Sequence, residues 1–356
     1  MAGMLSLANG DSFKGRWHGG TAPAHGEIVF FTGMTGYEEV LTDPSYKGQI
    51  VVFSYPLIGQ YGVRAAHVQS DNIQAAGIVV AELYDGPVRK GAQTLAQFAK
   101  SADVPVLSGI DTRSLIQAIR ESGTMQARMA EASTPPVHLP PATNDFFTGQ
   151  REESAIATYG EGALHIGLID FHYKSSILSE LLKRECRVSV IPHTLSSEQL
   201  DALQLDGLLF SNGPGDPAAL AQWFGVYRDW AERYPSFGIC LGHQVLASAF
   251  GAKTAKLPFG HRGANHPVVN LKTRRVSMSS QNHSYVVEAG SIDATPLTVL
   301  YQNVNDGSIE GLCHPELPIM TVQFHPEAAP GPADHLELFS HFLAAALEKK
   351  KVKIYA

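Results

Sequence analysis

The chain has 356 residues, 44% of them hydrophobic and 17% charged, with a formal net charge of −7. That length exceeds the usual span of one core, so two globular domains are expected; disorder is excluded by the composition, and the negative balance gives no drive toward nucleic acid or anionic lipid. No apolar run approaches the roughly 18 residues of a membrane span, and three scattered cysteines, Cys186, Cys240 and Cys313, suggest neither a disulfide framework nor a cysteine metal site, so a cytoplasmic protein acting on a small molecule or another protein is expected.

Residues 26–33 (GEIVFFTG) and 48–56 (GQIVVFSYP) read as strands cut by glycine turns. Helical patterns follow over 94–102 and 111–123, where Asp111 is placed to cap the second helix and Gly123 to stop it. This region is mixed and strand-rich. Prolines and glycines without periodicity mark a linker over about 131–163, which sets a first domain at 1–163 and a second at 164–356.

From 164 the pattern alternates: strands at 164–171, 187–193, 206–212 and 236–240, and helices at 175–186, 218–234 and 241–250. Short Val/Ile/Leu runs between amphipathic helices predict an α/β domain with a mostly parallel sheet covered on both faces. Strand-like segments return at 266–271, 274–280, 297–303 and 319–325, and a helix over 335–350 closes the pattern.

Gly238-Ile239-Cys240-Leu241-Gly242 has the form of a nucleophile elbow, a strained turn from strand into helix. Taken alone it fits two readings: a thiol bared at a helix N-terminus, where the dipole favours thiolate, or a small buried residue at a tight junction. A nucleophile needs a base. His325 ends the apolar run 319–324, at the strand end where open α/β sheets place their sites, and Glu327 two residues on is expected to share its direction across an extended His-Pro-Glu. His314 opens a second His-Pro-Glu but falls in a turn at the far end of that strand, and His243, in the helix after Cys240, is expected to pack or orient. Gly213-Pro214-Gly215-Asp216-Pro217-Ala218 satisfies a dinucleotide fingerprint, yet Pro214 lacks the amide such a cradle uses. Placed after the strand preceding the elbow, the Gly213 amide can instead join that of Leu241 as a two-donor oxyanion hole.

The motifs SNGPGDP (211–217), FGICLGHQ (237–244) and VQFHPEAAPGP (322–332) together resemble the class I (triad) glutamine amidotransferases. The resemblance implies that Cys240, His325 and Glu327 are the triad and that L-glutamine is the substrate. FTGMTGYEEVLTDPSYKGQI (31–50), IDTRSL (110–115) and FGHRGANHPV (259–268) look like the small subunit of carbamoyl-phosphate synthetase, and that likeness runs from about residue 4 to 348. It implies glutamine contacts at Ser45, Gly213, Gly215, Leu241, Gln244, Asn282, Ser284 and Tyr285. It also implies a heterodimer with a large subunit, or higher oligomers of it, in which ammonia is channelled to an ATP- and Mg-using partner for arginine or pyrimidine synthesis. No metal or cofactor is implied in this chain, which has no GxxxxGK[ST]. Two departures stand out: Ser284 where the family commonly has glycine, and His172 where a DFG-x-K pattern has its glycine.

Overall fold

The computed structural model describes residues 1–135, 139 and 156–355, so most of the expected linker lies outside the described residues. The chain forms two compact units, Met1–Thr143 with Pro258–Ala264, and Asn144–Leu257 with Asn265–Ala356. The segment 258–264, which the sequence reading keeps in the second domain, thus packs with the first.

In the first unit, strands β1 (Ala2–Leu7), β2 (Ser12–His18), β3 (Ala24–Phe31), β4 (Ile50–Phe53), β5 (Leu57–Ile58), β6 (Gly77–Val79), β7 (Glu82–Leu83), β8 (Val106–Ser108) and β9 (Met125–Glu131) are joined by helices α1 (Tyr37–Thr42), α2 (Leu95–Ser101) and α3 (Thr112–Ser122). Seven of the strands close a barrel in the order β1-β2-β8-β6-β4-β3-β9, and β5 pairs with β7. Alternate residues fill its interior: Leu5, Ile28, Val52, Val79, Leu107 and Met129 are all 0% exposed. Helix α3 adds Leu115 and Ile119 to the same cluster. Its ends follow the sequence reading, since the Asp111 carboxylate accepts the Ser114 N–H at 3.0 Å and Gly123 takes φ 82°. The 258–264 segment is tied in by the Thr124 N–H donating to the Pro258 carbonyl at 2.7 Å and by Phe259 packing on Phe30 at 6.0 Å.

The second unit holds β10 (Ala157–Tyr159), β11 (His165–Asp170), α4 (Ser175–Lys183), β12 (Arg187–Pro192), α5 (Ser197–Ala202), β13 (Gly207–Phe210), α6 (Phe224–Arg233), β14 (Ser236–Ile239), α7 (Leu241–Ala249), both ends of β15 (Thr254–Asn270), β16 (Val276–Val287), β17 (Thr298–Asn303), β18 (Ile309–Cys313), β19 (Ile319–Val322) and α8 (Glu337–Tyr355). Its sheet runs β10-β12-β11-β13-β14-β19-β18-β17-β15-β16, and the pairings from β12 to β19 are parallel. These central strands are buried on both faces, as continuous apolar runs require. The register sets Phe210 beside Gly238 and Ile239 beside Val322, so the ends of β13, β14 and β19 meet at one edge.

Two local readings change, and one departure is accounted for. The helix expected over 218–234 is a 3-10 turn over Pro217–Trp223, capped by Asp216, followed by α6. Strand β18 is absent from the strand segments expected from sequence, and it carries the buried Glu310 within its apolar run. His172 sits at φ 74°, a left-handed position that favours glycine, with its N–H donating to Asp170 at 2.7 Å. Among the described residues no helix is long and apolar enough to cross a membrane.

Gly242 and Gly225 should respond oppositely to alanine. A Cβ on Gly242 would lie 2.1 Å from the Phe210 carbonyl oxygen, whereas one on Gly225 in α6 meets nothing within 4 Å. Urea unfolding should show Gly242→Ala destabilised by about 3 kcal/mol and Gly225→Ala stabilised by roughly 0.5–1 kcal/mol.

Candidate active site

Cys240 links β14 to α7 with φ 54° and ψ −102°, a backbone state that costs a non-glycine residue on the order of 1–3 kcal/mol. The close approach of the chain explains both flanking glycines: a Cβ on Gly238 would lie 2.8 Å from the Gly242 carbonyl oxygen, and Gly242 itself touches Phe210. The turn is pinned by the Cys240 N–H donating to Val322 O at 2.9 Å and the Gly242 N–H to Ser211 O at 3.0 Å. The thiol is 3% exposed, at the N-terminus of α7, with Sγ 3.6 Å from the Asn282 carbonyl oxygen.

His325 arrives from the end of β19, where its N–H donates to Ser280 O at 2.9 Å. Beyond it the chain turns rather than running extended as expected, closing with the Ala328 N–H on His325 O at 3.1 Å. That turn still brings Glu327 back onto the ring, with Nδ1 and Oε1 2.7 Å apart. The ring is fully buried, and the side chain that acts on it besides Glu327 and Lys174 is Cys240. Burial and the Lys174 charge work against a proton on the ring, but the Glu327 carboxylate and, less, Cys240 outweigh them and hold the imidazole pKa up, to about 10.

Lys174, whose buried role sequence reasoning missed, completes the charge arrangement. Its side chain is 1% exposed, with Nζ 3.0 Å from Glu327 Oε1 and donating to the Ala328 carbonyl at 2.7 Å. Burial pushes the Glu327 carboxyl up, but Lys174 and His325 reverse this and hold it down to about 2. The SNGPGDP loop supports the lysine: Asn212 Oδ1 accepts the Lys174 N–H at 3.0 Å, and Ser211 Oγ accepts the Phe171 N–H at 3.0 Å. The available signal was the lysine of DFHYK at the end of the first parallel strand, although nothing in that pattern states that it is buried.

The other anticipated residues fall as follows. Gly213 backs directly onto the elbow, since a Cβ there would lie 3.0 Å from a Leu241 methyl and 2.0 Å from the Phe171 carbonyl. Gly215 takes φ 93° in the same loop. Gln244 donates to Tyr285 O at 2.7 Å and Gln323 Oε1 at 2.9 Å, tying α7 to the QNHSY segment that holds Asn282, Ser284 and Tyr285. That segment is braced by His283, whose ring meets Tyr285 O at 2.8 Å and Gln281 Oε1 at 2.9 Å, and by Gln281 donating to the buried Glu310 at 2.8 Å. Ser45 belongs to the first unit, in a 3-10 turn where its N–H donates to Asp43 at 2.9 Å.

Two histidines are accounted for otherwise. His243 is fully buried beside Thr321 Oγ1 at 2.8 Å, and burial pushes it down to about 3, leaving a neutral positioning ring. His314 Nδ1 accepts the N–H groups of Glu316 and Leu317 at 3.1 and 3.0 Å, which makes it a turn cap. Burial pushes the Cys186 thiol up to about 11, so this cysteine has little thiolate at neutral pH.

A thiol on a strained elbow, a ring held protonated beside it and backbone amides at a helix N-terminus are the parts of acyl transfer through a thioester. Residues 5–129 match the carbamoyl-phosphate synthase small chain domain, and residues 167–345 match the class-I glutamine amidotransferases. The chain belongs to the carbamoyl-phosphate synthase small chain family. It is 48% identical over 359 residues to the arginine-specific small chain of Halalkalibacterium halodurans, covering 100% of both chains. Identity is 47% over 356 residues with the arginine-specific small chain of Bacillus subtilis, covering 99% of each. Against the small chain of a Listeria monocytogenes strain it is 43% over 363 residues, again covering 99% of each. Within this family frame the second unit is the glutamine amidotransferase module, and all its anticipated site residues except Ser45 lie in it.

Removing Lys174 leaves Glu327 with one of its two cationic neighbours, and breaking a buried pair costs up to roughly 3–5 kcal/mol. Urea unfolding at pH 7 should show that loss for Lys174→Met, and adding Glu327→Gln should restore part of it. Because the Glu327 pKa is depressed, its contribution is complete above the ordinary 4.5 and is lost as pH falls toward 2. The acid limb of the stability curve should therefore move to higher pH in Lys174→Met.

Proposed function

We propose that this small chain hydrolyses L-glutamine for a carbamoyl-phosphate synthase. The observation that carries the reading is Cys240 on its strained elbow, with the His325–Glu327 pair brought beside it from the end of a neighbouring strand. The Cys240 thiolate attacks the side-chain amide carbon of glutamine, and the resulting oxyanion accepts hydrogen bonds from the Leu241 and Gly213 amides. His325 gives its proton to the departing nitrogen, and ammonia leaves with formation of a glutamyl thioester. His325 then takes a proton from water, whose oxygen attacks the thioester; glutamate is released and the thiol restored. Glu327 keeps the imidazole oriented and charged, and Lys174 keeps Glu327 ionised.

Gly215, Gln244, Asn282, Ser284 and Tyr285 are the proposed glutamine contacts in the second unit; a Ser45 contact is carried by the resemblance alone. The relatives' "small chain" names support assembly with a larger subunit that receives the ammonia and uses ATP and Mg, and the "arginine-specific" names of two of them favour supply of arginine synthesis. An α/β-hydrolase reading is disfavoured by the chain order Cys, His, Glu, since that fold runs nucleophile, acid, His.

Cys240→Ala should lower glutamate release by more than about 10³-fold without loss of fold; near-normal turnover would remove the nucleophile. His314→Ala should retain nearly full turnover while His325→Ala does not, and equal losses would mean that the wrong His-Pro-Glu had been assigned. In Glu327→Gln the ring loses the neighbour that raises its proton affinity. The alkaline limit of glutaminase activity should then fall by at least about one pH unit, and an unmoved limit would detach Glu327 from the base.

A further inference from the structure

Arg128, on β9 of the first unit, is only 7% exposed, and its Nε is sealed from solvent with no acceptor. No carboxylate among the described residues forms an ion pair with it. The buried cation of the second unit behaves differently, since Lys174 has both a carboxylate and a carbonyl. A guanidinium N–H kept from water with no acceptor is costly, and such groups are ordinarily matched by a hydrogen-bond partner or an anion.

The barrel register shows what surrounds it. Arg128 lies directly opposite His25 on β3 and Ser6 on β1. Their chain neighbours Ala24, Leu5, Leu7, Ala127 and Met129 point into the barrel core, so Arg128, His25 and Ser6 share the outer face. His25 Nδ1 is also buried without a hydrogen-bond partner. Burial, and secondarily the Arg128 charge, lower the affinity of that ring for a second proton, so it stands neutral with one N–H to offer. Glu27, two residues beyond His25 on this face, accepts from Thr124 Oγ1 at 2.9 Å and Gln49 Nε2 at 3.4 Å.

We propose that Arg128, with His25 and Ser6 beside it, forms a binding site for a small oxyanion, the carboxylate or phosphate group of a free ligand. The planar fork of an arginine takes two oxygens of such a group at once, and a neighbouring imidazole N–H and a hydroxyl can take further oxygens.

Thermal unfolding of the full chain, titrated separately with inorganic phosphate and with acetate at an ionic strength held constant by chloride, tests this. The wild type should show a saturable rise in Tm of a few degrees with one or both anions, the stronger identifying the ligand group. Arg128→Met should lose the rise. Arg128→Lys keeps the charge but not the fork, so its half-saturating concentration should increase at least about tenfold; this second variant decides the matter if the methionine variant folds poorly. No rise with either anion, or an equal rise in wild type and variants, overturns the site.

Discussion

Lys174, Glu327 and His325 form a buried row of charge on which the rest of the second unit is arranged. Two cations flank one carboxylate, so the site keeps an ionised acid and a protonated ring where burial alone would neutralise both. The row is assembled from chain segments remote in sequence: the lysine follows the first parallel strand, and the other two residues follow β19. Only a sheet that brings those strand ends to one edge can close it, and the sheet order does so by placing β13 and β14 between β11 and β19.

The glycine-rich loop after β13 has a mechanical part in this. Ser211 and Asn212 hold the backbone at 171–174, which aims Lys174, while Gly213 backs onto Leu241 beside the thiol. One short loop therefore positions a member of the charge row and brings the Gly213 backbone beside Leu241. The glycines at 213, 238 and 242 are there because neighbouring backbone comes within reach of any Cβ, an argument from space that holds whether or not the residue touches substrate.

The alternation of strands and helices after residue 164, the elbow around Cys240 and the placement of His325 at a strand end were legible in the sequence, because each rests on local pattern or on a single turn. The route by which Glu327 reaches the ring was not legible: an extended His-Pro-Glu is expected from the proline, whereas the carboxylate returns through a turn. Lys174 and Glu310 were missed because a charged residue gives no local sign that it will be buried; only its partners across the sheet reveal it. Barrel closure was also illegible, since the pairing of β1 with β9 joins residues more than a hundred positions apart, as Gly3 with Glu131. The return of 258–264 to the first unit depends on contacts such as Phe259 with Phe30, which no periodicity encodes.

That return has a consequence for the order in which the protein can be made. The barrel cannot close until residue 131 or so has left the ribosome, and the first unit's Pro258–Ala264 segment emerges only after most of the parallel sheet's strands have been synthesised. Completion of the N-terminal unit thus waits on residue 264, and β14 with its elbow emerges before that unit's last segment. Folding of the first unit is governed by contacts of very long sequence separation, the circumstance in which chain closure is slow.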